Sequence, residues 1–309
     1  MHHLIIQTKF AIDVRTGNDL LVTSASRHFR TFIAVAPLVA GTGLAAWVLR
    51  GIEPWILMCA MTATILLGCK WLTWWSAEIH APPSRHVGYL LGWPGMDAER
   101  FLSPSPKLQK PTRGEFLFAI SKFLLGVALL LTATLLVDRN VIIAGWTALV
   151  GLSFLLLFGG FHVLSCVWRF RGVDAEPLMH NPAVSRSVGE FWGRRWNMAF
   201  RDIAFRFLFR PLTRRIGPAW ATMVGFVVSG VAHEMAITFP AGAGYGRPTL
   251  FFVIQGIAML VERRGLGARL RGHMWTVLVT AGSLAVLFPP EFFDRVIAPM
   301  IRAVRSWVT

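Results

Sequence analysis

A histidine and a glutamate stand side by side within a long apolar run, in Ser229-Gly-Val-Ala-His-Glu234. Ionisable groups inside a membrane span are costly and usually face a bundle interior or a cavity, so the pair is a candidate for chemistry. On a helix, Ser229 and Gly230 precede His233 by four and three residues and share its face. Small residues there leave room beside the imidazole for another helix or a substrate. Glu234 projects about 100° away, so it is expected to orient neighbours rather than share the histidine's target. The competing reading is a histidine hydrogen-bonded across helices for structure alone. A zinc metalloprotease is excluded, because HExxH needs a second histidine where this chain has Ile237.

A second constellation runs from Ser187 to Pro211. Trp192, Trp196, Phe200, Ile203 and Phe207 recur at three- and four-residue spacing, which predicts one face of an amphipathic helix lying in the membrane surface. Arg194, Arg195, Arg201 and Arg206 fall largely on other faces, available to phosphates. Topology and lipid headgroup contact would explain such arginines equally well. In Tyr89-Leu-Leu-Gly-Trp-Pro-Gly-Met-Asp97, the Pro94-Gly95 pair predicts a turn held at the interface by Trp93. His162, also in an apolar run, has no acidic neighbour in sequence and reads as a packing or hydrogen-bonding residue. Cys59, Cys69 and Cys166 show no metal or redox spacing, so no metal site is expected. Gly242 to Gly246 reads as a flexible connector, and the absence of GxSxG counts against a serine hydrolase.

The elements that must carry these residues follow from composition. Of 309 residues 54% are hydrophobic and 15% charged, whereas a soluble domain carries roughly 25% charged residues. So much apolar surface requires a second apolar solvent. Seven apolar runs span 31–49, 54–75, 116–137, 141–168, 219–239, 249–261 and 273–288. The sixth is short and contains Gln255. The predicted fold is therefore all-α, a polytopic transmembrane bundle of about 7–8 spans with interfacial amphipathic helices. No cleavable signal peptide is expected in the first 30 residues.

Basic residues number 31 against 16 acidic. Nucleic-acid binding is excluded as their cause, because they fall in blocks between apolar runs. The N-terminus and the loops 76–114, 169–218 and 263–272 are rich in Lys and Arg, while the intervening loops hold one each. This alternation predicts that the rich segments are cytoplasmic. Lys70 and Lys122, inside apolar runs, are expected to snorkel to that side. The amphipathic tail 292–308 has no assigned side.

Phe191-Trp-Gly-Arg-Arg-Trp-Asn197, followed 36 positions later by His233 in Ser229-Gly-Val-Ala-His-Glu234, resembles the membrane-bound O-acyltransferase (MBOAT) family. The combination is similar to its wax-synthase branch, and Tyr89 to Asp97 is similar to bacterial members of that branch. The resemblance implies one membrane-embedded domain over 1–309, with a signature region at about 89–262, set among membrane lipids in a bacterial plasma membrane. It implies transfer of a fatty acyl group from acyl-CoA, a co-substrate and not a bound cofactor, to a long-chain or other lipophilic alcohol. His233 matches the family's intramembrane histidine, and Asn197 the polar residue of its preceding motif. A neutral histidine suits removal of a hydroxyl proton near pH 7. Asn197 is suited to position the donor or stabilise an oxyanion. Glu234, Ser229 and Trp196 are the expected supporting residues, and Arg194, Arg195 and Arg201 the expected partners of the coenzyme A phosphates. An acetyltransferase acting on a small or glycan hydroxyl is the nearest alternative. A transporter with a His233–Glu234 relay is the alternative of another class, disfavoured by the absence of repeats.

Overall fold

Short polar side chains and prolines open many of the helices. Thr112 Oγ1 accepts the Glu115 N–H at 3.1 Å, and Asn140 Oδ1 accepts that of Ile143 at 3.0 Å. Each satisfies a donor that the first turn leaves without a helical partner. Proline fills an early position in others, where its missing N–H costs nothing.

The computed structural model describes residues 33–104, 108–264 and 272–308, among which there is no β-strand. In chain order the helices are α1 (Ile33–Val48), α2 (Pro54–Trp75), α3 (Pro83–Gly92), α4 (Ala98–Leu102), α5 (Arg113–Leu136) and α6 (Val141–Phe170). They continue with α7 (188–195), α8 (Met198–Ala241), α9 (Arg247–Arg263), α10 (His273–Leu287) and α11 (Pro290–Val308). The all-α expectation holds. The N-terminal segment and most of the loop 263–272 lie outside the described residues.

Each apolar run forms a helix, but the expected 7–8 spans are not all reached by length. The helices α2, α5, α6 and α8 are long and apolar enough to cross a bilayer, with a fifth span if α10 and α11, bent by 63°, count together. At 17 residues α9 is shorter than a full crossing. By contrast, 44 straight residues of α8 would run about 66 Å, twice the hydrocarbon thickness. The excess is resolved at Gly217, whose φ of 79° only glycine adopts freely, with Pro218 after it. The break divides α8 into an arginine-rich part before it and the apolar part that holds His233 after it.

Two of the loops read as cytoplasmic pack against each other. Arg85 donates to the Gly172 carbonyl at 3.2 Å, Arg100 pairs with Asp174 at 3.0 Å, and Arg206 pairs with Glu99. At the third, His273 Nδ1–H donates to the Ser185 carbonyl at 3.2 Å. The described basic loops thus share one end of the bundle. The tail lies at the other: Arg302 and Arg305 pair with Asp138, which follows the far end of α5. The first half of α11 is buried, with Phe292, Phe293, Val296 and Ile297 in the core beside Ala144 and Ala148 of α6.

Several interfacial expectations are corrected. Trp93 is a core residue, 5% exposed and stacked on Phe101 at 6.3 Å. Lys70 does not snorkel. It is 1% exposed, donates to the Gly95 carbonyl at 2.6 Å and lies over the Tyr89 ring. The turn after α3 exposes a carbonyl that needs a donor, and the lysine supplies it.

Candidate active site

His233 closes the α-helical part of α8, and the next five residues, Glu234–Thr238, are wound as a π-helix. The motif residues Phe191–Arg195 are π-wound as well. Such turns recur at functional sites because they redirect side chains from the regular helical faces. From Pro218 the histidine lies about 22 Å along its helix, within the apolar stretch of α8.

The imidazole is partly buried, and its Nδ1 lies 2.7 Å from the Ser229 carbonyl. A carbonyl can only accept, so Nδ1 carries the proton and the neutral ring presents Nε2 with its lone pair. Ser229 therefore acts through its backbone, while its hydroxyl donates to the Gly225 carbonyl at 2.9 Å. Phe252 of α9 covers the imidazole, ring centroids 4.5 Å apart. Gly230 lets α9 come this close, since a Cβ there would stand 2.7 Å from the Thr249 Cα.

Glu234 turns away from the histidine, as its helical position predicts. Its Oε1 accepts the Thr249 N–H at 3.0 Å and the Thr249 hydroxyl at 2.9 Å, and its Oε2 accepts the Thr238 hydroxyl. Gly246, at the N-cap of α9, offers no capping side chain. The glutamate supplies that cap from the neighbouring helix, and a negative charge suits a helix N-terminus. A His–Glu relay is left without the bond it needs.

The FWGRRWN segment does not form the single amphipathic helix its spacing predicts. Trp196 is extended and Asn197 is left-handed at φ 45°, so α7 ends and α8 begins there. Asparagine tolerates this region better than most residues. A three- and four-residue apolar rhythm can cross such a break without losing phase. The break sends the two tryptophans different ways. Trp192 meets Phe226 and Phe252 at 5.8 and 5.6 Å and donates its indole N–H to Gln255 at 3.2 Å. Trp196 stacks on Phe191 at 5.3 Å and meets Phe158 of α6. Phe252 therefore links Trp192, and not Trp196, to His233.

Asn197 is partly buried, its side chain makes no capping bond, and no hydrogen bond joins it to His233 among the described residues. Its position is fixed through the backbone, because the Met198 N–H donates to the Leu178 carbonyl at 3.0 Å. The arginines divide. Arg195 pairs with Glu190 at 2.6 Å and donates to the His180 carbonyl at 3.1 Å. Arg201 donates to the Gly193 carbonyl at 3.0 Å and pairs with Asp202. Arg194 is exposed, and among the described residues its guanidinium makes no hydrogen bond or ion pair, acting on Glu190 only through its charge.

Gln255 and Glu262, on α9, were not marked by any sequence motif. Gln255 is fully buried, and its amide donates to the Val279 carbonyl and the Ser283 hydroxyl, both at 3.0 Å. A polar residue in a short apolar run was the available signal. His162 does have an acidic partner, brought by α5. Its Nε2 meets Glu115 at 3.1 Å, and Lys122 donates to its Nδ1 at 2.7 Å instead of snorkelling. Glu115, His162 and Cys166 place ligand-type atoms within 4.8 Å of one another. Lys122 and Arg169 already engage the lone pairs that a cation would use, so the arrangement is an ion-pair network. A separate cavity of about 410 Å³ opens between the Met96–Glu99 turn and the start of α8, with Asp97, Glu99, Asp202, Arg206 and Arg210 among its lining residues and His233 not among them.

Residues 175–254 match the membrane bound O-acyl transferase family. A probable long-chain-alcohol O-fatty-acyltransferase 7 of Arabidopsis thaliana is 35% identical over 100 residues, 29% of this chain and 30% of its own length. The long-chain-alcohol O-fatty-acyltransferase of Simmondsia chinensis is 35% identical over 104 residues, 29% and 28% of the two chains. Acyl-CoA–sterol O-acyltransferase 1 of Arabidopsis thaliana is 29% identical over 139 residues, 39% of each. The matches thus span about a third of these relatives, and the family match covers the stretch that holds Asn197, His233 and the start of α9. Through that stretch the chain is similar to the membrane-bound O-acyltransferase family and to its long-chain-alcohol O-fatty-acyltransferases.

Proposed function

We propose that the chain is an acyl-CoA-dependent O-acyltransferase that esterifies a long-chain or other lipophilic alcohol, with His233 as general base. One observation carries the reading: the Ser229 carbonyl holds the proton on Nδ1 and leaves Nε2 to accept one, deep within the segment shared with the family. In the step proposed, Nε2 takes the alcohol proton as the oxygen attacks the thioester carbonyl. The tetrahedral oxyanion then collapses with cleavage of the C–S bond, and the leaving thiolate takes the proton from the imidazolium. The products are an ester and free coenzyme A. Phe252, which covers the imidazole and packs on Phe226, helps exclude water that would compete for the thioester.

Asn197 is assigned the donor side, as a hydrogen-bonding group for the thioester or its oxyanion. Arg194 is assigned a phosphate of coenzyme A, because among the described residues its guanidinium is the motif's one without a hydrogen bond or ion pair. Arg195 and Arg201 serve mainly to hold the motif's backbone, and Glu234, Ser229 and Trp196 support the site by position. The basic end of the bundle is assigned to the cytoplasm, where coenzyme A is found, by the charge rule. A cysteine introduced near Arg186 should resist labelling from outside, and strong external labelling would reverse this orientation. The activity test supplies purified protein with a long-chain acyl-CoA and a fatty alcohol, and follows free thiol and ester together. Equal release of both supports the proposal. Thiol without ester, or neither across a range of alcohols, refutes it. Ester formed only with acetyl-CoA and a small hydroxyl would favour the acetyltransferase.

A further inference from the structure

Two carboxylates join three helices. Glu234 of α8 caps the first turn of α9, and Glu262, at the other end of α9, caps the first turn of α7. The first joint belongs to the histidine motif, and the second to neither motif. Glu262 is 3% exposed. Its Oε1 accepts the Val188 N–H at 2.7 Å and the Trp275 indole N–H at 3.1 Å, and its Oε2 accepts the Gly189 N–H at 3.0 Å. A carboxylate that takes two successive N–H groups fixes both the position and the rotation of a helix start, because those groups point along the axis. Between the joints, Phe252 covers His233 and Gln255 holds Trp192. Positions 249, 252, 255, 259 and 262 follow three- and four-residue steps, so one face of α9 meets both motifs.

We propose that Glu262 is a positioning residue for the acyl transfer proposed above, setting α7, and through it Asn197, against His233. It touches no reacting atom, and its catalytic consequence rests on that functional reading. Glu262→Gln keeps the shape but turns one acceptor oxygen into a donor, so Val188 or Gly189 faces an amide that cannot accept. Displacing a reacting group by about 1 Å can cost about a hundredfold in rate.

The experiment has two arms on detergent-purified, monodisperse protein. Amide exchange over residues 188–196 should quicken in Glu262→Gln relative to the rest of the chain. In the turnover arm, kcat should fall about ten- to a hundredfold with donor KM much less changed. Asn197→Ala should add little on top, since both changes act through the placement of Asn197. A merely structural role would instead lower yield and leave kcat per folded molecule intact. Trp275→Phe, which spares both backbone bonds, should keep wild-type kcat. If Glu262→Gln does not fold, Glu262→Asp, which keeps the charge and loses reach, is read in the same way. Unchanged exchange at 188–196, or faster exchange with wild-type kcat, overturns the proposal. Wild-type protein that turns over no acyl donor counts against the function instead, and the exchange arm still decides whether the joint exists.

Discussion

Removing the Glu234 carboxylate should unfold the protein more readily, apart from anything it does to turnover. In Glu234→Ala the Thr249 N–H loses its acceptor, and Gly246 provides no substitute. An orphaned N–H away from water costs about 1–3 kcal/mol. Loss of a capping group costs about 0.5–2 kcal/mol, and loss of a charge at a helix N-terminus about 0.3–1 kcal/mol. These descriptions overlap, because they concern one carboxylate, so the expected loss is about 1–3 kcal/mol. Thr249→Val removes the hydroxyl and keeps the N–H, so it should cost only about 1 kcal/mol. In Glu234→Ala the second change should matter less, since its partner is already gone. The assay is thermal unfolding of monodisperse protein at fixed detergent, with all four members of the cycle. A wild-type midpoint for Glu234→Ala, or fully additive effects, would refute the assignment of Glu234 as the cap of α9.

Arg194→Ala should raise the acyl-CoA KM about tenfold with little change in midpoint, whereas Arg195→Ala should lower the midpoint. A titration of donor concentration beside a melting curve separates the two. Asn197→Ala should lose turnover and also about 1 kcal/mol of stability, because alanine is strained at φ 45°. Asn197→Gly should recover the stability and not the turnover, and recovery of both would make the residue purely conformational. The Arg186 backbone N–H, then the Arg195 guanidinium, hold the Glu190 carboxyl below the usual glutamate range. Its contribution to stability is therefore complete above the unfolded value and lost as pH falls through the lower folded one. Glu190→Gln should flatten the decline in unfolding midpoint from about pH 5 toward pH 3, and an unchanged slope would dismiss that pair.

The apolar runs, the helical class and the side-by-side His233 and Glu234 could be read from the sequence because each is a local property. The direction of Glu234 followed from helical geometry alone. Three-dimensional partners could not be read in this way. Nothing near His162 in the chain reveals that Glu115 and Lys122 meet it, nor does the position of Lys70 reveal the carbonyl of Gly95. The break at Asn197 was hidden because an apolar repeat of three and four residues continues across it, and one left-handed residue leaves that pattern intact. Glu262 was hidden for another reason. A single acidic residue at the end of an apolar run looks like a solvated helix end until Val188, Gly189 and Trp275 are seen around it.

The central claim is that His233 takes the proton from the alcohol. The most direct measurement is ester formed per mole of monodisperse His233→Ala, with acyl-CoA binding measured on the same sample. A lost general base should reduce turnover by about 10²–10⁴-fold while donor binding survives. A structural histidine would contribute only about 0.6–2 kcal/mol of packing and hydrogen bonding. Near-native ester formation by His233→Ala would contradict the account and make His162 the next residue to test.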